Sequence, residues 1–258
     1  MLTTLAITGY LAAIVLQYLQ MLARHSIQSW LIVGITWVAL LTHAYLLYRW
    51  IDIGIGQNLY FLNVLSLVSW LVALLVALFA WKKPAKSLSI VVFPIAAISI
   101  LLVISFPGSF VLHTSAHPAQ LFHILCSMLA FSILCLAALQ AILLAVQDQC
   151  LRHKQAQTLL QVLPPLEVME SLLFEMISLG FVLLSVVIFS SLVFLYSLGG
   201  ATNTHSPYLA IVSWLIFAIL LGGRHFLGWR GRVAIRWTLI GVLLLVVSYF
   251  GHWLIRSM

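Results

Sequence analysis

The sequence predicts an all-α integral membrane protein, with about eight transmembrane helices and one interfacial amphipathic segment. Three observations carry the prediction. Of 258 residues, 64% are hydrophobic and only 7% are charged, a balance that suits lipid rather than water as the solvent. The apolar residues gather in runs long enough to cross about 30 Å of hydrocarbon at about 1.5 Å per residue. The basic residues crowd into alternate connecting loops.

Eight runs qualify, approximately Leu5 to Leu22, Trp30 to Tyr48, Leu59 to Trp81, Leu88 to Phe106, Ala119 to Val146, Ile177 to Leu198, Tyr208 to Gly223 and Val233 to Leu254. The first lacks a basic stretch before it and a small-residue cleavage site after it, and reads as a retained helix instead of a signal peptide. The connections are short, the longest being 147–176, so a single polytopic domain over 1–258 is expected. No internal repeat is visible. In "LRHKQAQTLLQVLPPLEVMESLLFEM", 151–176, polar and apolar residues run together as in an interfacial amphipathic segment. Pro164 and Pro165 should break it and start the next helix. Glu167 and Glu170 then fall in or near a first turn, as solvated acids suited to the positive end of the helix dipole.

With eight spans, the loops beginning at Arg24, Lys82, Asp148 and Arg224 share one side, and with the adjoining helix ends they hold ten of the twelve basic residues. Arg49 and Arg256 are left on the other. Positive charge is retained in the cytoplasm, which places both termini outside. The net charge of +7 is therefore a topology signal, and no basic cluster interleaved with exposed aromatics points to nucleic acid. Trp30, Trp50, Trp81 and Trp253 fall near span ends, as interfacial anchors do.

The five acids, Asp52, Asp148, Glu167, Glu170 and Glu175, map to loops or helix ends, which weakens a proton- or ion-coupled transporter reading. Cys126, Cys135 and Cys150 form no CxxC pair, supporting neither a disulfide framework nor a thiol redox motif. No serine, cysteine or carboxylate constellation for hydrolysis stands out. Histidine is the one titratable type reaching helix interiors from the outer side. His43 lies six residues before Arg49, about 9 Å inside that helix end at 1.5 Å per residue. His123 opens the fifth span, His205 precedes the seventh, and His252 is near the outer end of the eighth. A pair of imidazoles on different helices could hold a haem iron from both sides, with Arg49 as propionate partner. The competing structural reading is that each histidine bonds a neighbouring hydroxyl or carbonyl. His113 and His117, spaced i and i+4, sit among Pro107, Gly108 and Pro118 and read as loop residues, while His25, His153 and His225 belong to the basic loops.

"LTHAYLLYRW", "LFHILCSMLAFSILCLAALQAILLAVQD", "LPPLEVMESLLFEMISLGFVLL" and "HSPYLAIVSWLIFAILLGGRHFLGWRGRVAIRW" resemble the cytochrome c assembly family from about Leu41 to the C-terminus. The YpjD-type inner-membrane branch is the nearest in pattern, with HemX-type proteins close by. The resemblance implies a multi-pass protein of the bacterial inner membrane that handles haem, haem b being the cofactor, and assists cytochrome c biogenesis. The partners implied are the lipid bilayer, haem and other cytochrome c maturation proteins. By motif, His43 matches the membrane histidine before the "LRW"-like stretch and His123 the outer histidine opening the fifth span. His205 lies where YpjD-type sequences have a histidine, and His252 falls near an outer C-terminal histidine of some relatives. His43, His123 and His205 are thus the candidate iron ligands. Two departures imply an accessory member: the outer loop "SLGGATNTHSPYLA" lacks the tryptophan-rich haem-presenting signature, and "LLGGR" has glycines where an inner-side histidine would stand. The readings left in competition are a divalent metal transport or efflux component and a membrane regulator of tetrapyrrole synthesis.

Overall fold

The computed structural model describes residues 1–22, 28–54, 56–79, 83–112, 118–152, 164–197 and 208–257. Eight helices are found among them: α1 Leu2–Leu22, α2 Ser29–Ile51, α3 Phe61–Phe79, α4 Lys83–Ser105, α5 Pro118–Arg152, α6 Leu166–Ser197, α7 Tyr208–Leu227 and α8 Arg232–Ser257. Each is long and apolar enough to cross a membrane. Each of the eight overlaps one of the runs read from the sequence, because a backbone in hydrocarbon must satisfy its own hydrogen bonds and a helix does so within one segment.

The chain divides into two compact units, α1 to α4 and α5 to α8. In the first, α1 packs on α2 and α4, and α3 packs on the same two helices, closing a four-helix ring. Small residues let α1 and α2 approach. Ala6, Ala13 and Ala39 are fully buried, and a Cβ at Gly9 would stand 2.9 Å from the Ala39 Cβ. Pro94 lies within α4, where it gives up one intrahelical N–H bond without ending the helix. The segments after α2 and α4 pair as two short antiparallel strands, β1 Gln57–Asn58 and β2 Val111–Leu112, a feature the apolar pattern could not announce. Asn58 organises them: its Oδ1 accepts the Phe110 N–H at 2.8 Å and the Tyr60 N–H at 3.3 Å, and its Nδ2 donates to the Gly108 carbonyl at 3.2 Å.

In the second unit, α5 packs on α6 and α8, and α7 packs on the same two. The neighbour pattern thus repeats that of the first unit, although the sequence shows no repeat. The α7–α8 connection is set by the "GWRGR" stretch. Gly228 and Gly231 adopt φ of 66° and 56°, a left-handed region costly for residues with a Cβ. Trp229 folds back so that its N–H bonds the Gly223 carbonyl at 3.2 Å, and a Cβ at position 223 would run into the indole.

The two largest differences from the boundaries read in the sequence are at α5 and α6. Helix α5 extends to Arg152, beyond the expected end at Val146. Helix α6 begins at Leu166 instead of Ile177, taking up what was read as the latter part of the interfacial segment. Pro165 stands just before α6, and its carbonyl accepts the N–H groups of Val168 and Met169 at 3.0 and 3.2 Å. Met169, Leu172, Leu173 and Met176 then form a buried face continuous with Ile177 and Gly180. The remainder of the expected segment, 153–163, lies outside the described residues.

Candidate functional site

His43 lies on the buried face of α2, a row at helical spacing that includes Ile32, Thr36, Ala39, Leu40, Leu46 and Leu47. It is fully buried, and both ring nitrogens are engaged. Nδ1 is 3.1 Å from the Tyr10 hydroxyl and Nε2 is 3.0 Å from Ser66 Oγ. The network continues from Ser66 Oγ to Ser99 Oγ at 3.3 Å, with Ser69 Oγ 2.7 Å from Ser99 Oγ. Ser99 ends it by donating to the Ala96 carbonyl at 2.7 Å.

The proton positions follow from donor counting. Tyr10 is fully buried, and among the described residues His43 Nδ1 is the acceptor within reach of its O–H, so the phenol donates. Nε2–H then donates to Ser66, Ser66 to Ser99, and Ser99 to the Ala96 carbonyl. The directed chain crosses α1, α2, α3 and α4. The lone pair of His43 is on Nδ1, capped by Tyr10, so coordination there requires Tyr10 to give way.

His123 is in the second turn of α5 and is half-buried. Its Nδ1 is 2.7 Å from Ser190 Oγ on α6. Ser190 also reaches the Val187 carbonyl at 2.9 Å, an acceptor for the serine proton. With the serine proton there, the imidazole donates from Nδ1 and its lone pair is on Nε2. An Nδ1–H anchored by a protein acceptor is the arrangement that orients histidines whose Nε2 binds a metal.

The other expected residues are placed unevenly. Arg49 is exposed in the last turn of α2, and among the described residues it makes no ion pair. His252 is near the end of α8, with its side chain outside the described part, and His205, His113 and His117 lie outside the described residues altogether. His43 and Arg49 belong to the first unit, His123 and His252 to the second. Among the described residues no group of three or more His, Cys, Asp or Glu is placed to hold a metal ion. Cys126, Cys135 and Cys150 are free thiols.

Two acids correct the sequence reading. Glu170 is not a solvated helix start. It is 8% exposed, and its Oε1 lies 3.3 Å from Arg224 Nη1 on α7. Extension of the buried face of α6 toward its N-terminus turns Glu170 inward, where a carboxylate needs a partner. Glu175 is not at a helix end either, since it lies nine residues beyond Leu166 within α6. Glu167 is exposed, as expected. Asp148 pairs with Arg152 at 3.0 Å and Arg232 at 3.2 Å.

Sequence reasoning passed over Tyr10, Ser66, Ser69, Ser99 and Ser190. A signal existed for Ser66 and Ser69: two hydroxyls at i and i+3 share one face of an otherwise apolar α3, and polar groups in such helices turn toward protein.

Eight membrane-length helices in two four-helix units, with an imidazole–hydroxyl contact within each unit, define a polytopic helical membrane protein. The chain belongs to the family described as cytochrome C assembly protein, whose model matches residues 34–258. It is 32% identical over 223 residues to the inner membrane protein YpjD of Escherichia coli K12, covering 86% of this chain and 84% of that protein. It is also 33% identical over 87 residues to the cytochrome c biogenesis protein CcsA of Synechococcus sp. WH7803, covering 33% of this chain and 27% of that protein. No solved structure matches the chain.

Proposed function

We propose that the protein is a haem-handling component of the bacterial inner membrane that assists cytochrome c biogenesis in an accessory capacity, without catalytic turnover. Membership of the cytochrome c assembly family supports haem as the ligand class, and the naming of relatives as inner-membrane and cytochrome c biogenesis proteins supports the compartment and process. The distribution of basic residues supports both termini on the outer side. The absence of tryptophan from "SLGGATNTHSPYLA" favours an accessory role over direct delivery to an apocytochrome.

The observation that carries the reading is the anchored imidazole of His123. With the Ser190 proton on the Val187 carbonyl, the imidazole donates from Nδ1 to Ser190, and the nitrogen suited to iron is Nε2. His123 would hold the iron, with His205 or His252 as candidate second ligands. Bound there, haem b would supply an iron centre that the protein keeps in low-dielectric surroundings for handling by other maturation proteins. His43 fits less well as placed. Its lone pair is covered by Tyr10, and ligation would break the hydroxyl chain.

The test is the absorption spectrum of protein purified from a haem-sufficient host. A Soret band, or its appearance on titration with haemin, is the expected result. Protein that is colourless and takes up no haemin would overturn the reading.

A further inference from the structure

Helix α6 carries an exposed row that changes character along its length. Ser171, Glu175 and Ser178 are exposed, and the row continues at helical spacing into Val182, Val186 and Phe189, which are 58%, 38% and 70% exposed. Such a row is polar for its first turns and apolar beyond them. The polar part lines an open surface groove of about 630 Å³, bordered on its other side by Arg224 and His225 in the last turn of α7.

The electrostatics of this groove are of both signs. Arg224 Cζ lies 3.7 Å from the centre of the buried Phe174 ring, and its Nη1 is 3.3 Å from Glu170 Oε1. Among the described residues that is the hydrogen bond Arg224 makes, so stacking and pairing fix the guanidinium while other N–H donors of its fork remain on the groove it lines. Glu175 is exposed on α6 and has no ion pair among the described residues. An exposed carboxylate without an ion pair can accept charge-assisted hydrogen bonds from a cation. The groove thus asks for an anion at Arg224 and a cation at Glu175, hydrogen-bonding groups at the two serines, and apolar chains along Val182 and Phe189.

We propose that this groove binds an aminophospholipid, with its phosphate diester on Arg224, its primary ammonium on Glu175 and its acyl chains along the apolar part of the α6 row. The headgroup chemistry is that of phosphoethanolamine, and the membrane lipid is its source. A phosphate diester matches the guanidinium fork. A primary ammonium carries N–H donors for Glu175, which a quaternary ammonium lacks.

The test uses the full chain, delipidated in detergent and read by native mass spectrometry with phosphatidylethanolamine, phosphatidylcholine or soluble phosphoethanolamine added. Phosphatidylethanolamine should be retained about tenfold better than phosphatidylcholine, the ratio expected of one charge-assisted hydrogen bond. Glu175→Gln should erase that preference, and Arg224→Gln should lower retention of both lipids. Because Arg224→Gln also strips Glu170 of its partner and can compromise folding, Glu175→Gln at its exposed position carries the test alone. Equal retention of the two lipids by the wild type, or an unchanged preference in Glu175→Gln, would overturn the proposal. Displacement of the lipid by soluble phosphoethanolamine at equal concentration would overturn the membrane as the source.

Discussion

The hydroxyl of Tyr10 on α1 lies 3.1 Å from Nδ1 of His43 on α2, and the two rings meet edge to face at 84°. This contact heads a chain of hydroxyls that ends on a backbone carbonyl of α4. Removing the Tyr10 hydroxyl leaves a buried imidazole nitrogen without its donor. Tyr10→Phe should therefore lower thermal stability in detergent by about 1 kcal/mol, the scale of an interhelical hydrogen bond in a membrane protein. Ser66→Ala should act similarly, and the double variant should lose less than the sum because both act through one imidazole. Fully additive losses would show that the chain is not a coupled unit.

Arg224 and Glu170 form a pair with side chains 32% and 10% exposed, so water screens the arginine more than the acid. Glu170→Ala leaves the cation with Phe174 alone and should cost about 1–2 kcal/mol, less than for a fully buried pair because of that screening. Replacing both together, Glu170→Leu with Arg224→Met, should recover much of the loss. A chemical denaturation series in mild detergent checks both outcomes.

The "GWRGR" connection depends on three glycine positions for two different reasons. At Gly231, with φ 56°, alanine should cost about 1–2 kcal/mol through the left-handed backbone. At Gly223 alanine should displace the Trp229 ring, giving a changed tryptophan emission spectrum together with a loss of about 1–3 kcal/mol from overpacking. Unchanged emission in Gly223→Ala would contradict the close Gly223–Trp229 packing.

The helices were legible because hydrocarbon thickness and backbone satisfaction turn a run such as Ser87–Ser105 into a span whatever its neighbours. Neighbour order was not, because contacts such as Gly9 on Ala39 or Gly180 against Leu134 rest on shape, and small residues occur throughout apolar helices. The start of α6 was misplaced because Glu170 and Glu175 lowered the local hydropathy, while the buried face of Met169, Leu172 and Leu173 kept the helix going. Within the candidate site, His43 and His123 stood out against an apolar background. Their partners Tyr10, Ser66 and Ser190 did not, since a hydroxyl in a membrane helix can satisfy itself on the preceding turn, as Thr42 does on the Val38 carbonyl at 2.7 Å.

Ser190 should act on haem through His123 alone. Ser190→Ala removes the acceptor that fixes the imidazole, and by the usual worth of such orienting partners it should weaken haemin binding by about tenfold or more. Helical content should stay unchanged. The readout is a haemin titration followed at the Soret band, and an affinity equal to the wild type's would show that the Ser190 contact orients nothing.

The most direct measurement is haem content per protein, by pyridine haemochrome absorbance, for the wild type, His123→Ala and His43→Ala purified in parallel. His123→Ala should lose the bound haem while keeping its helical circular dichroism. His43→Ala should keep most of its haem and lose stability, because the His43 nitrogens are occupied by Tyr10 and Ser66. Full haem content in a folded His123→Ala protein would contradict the assignment of His123 as the iron ligand.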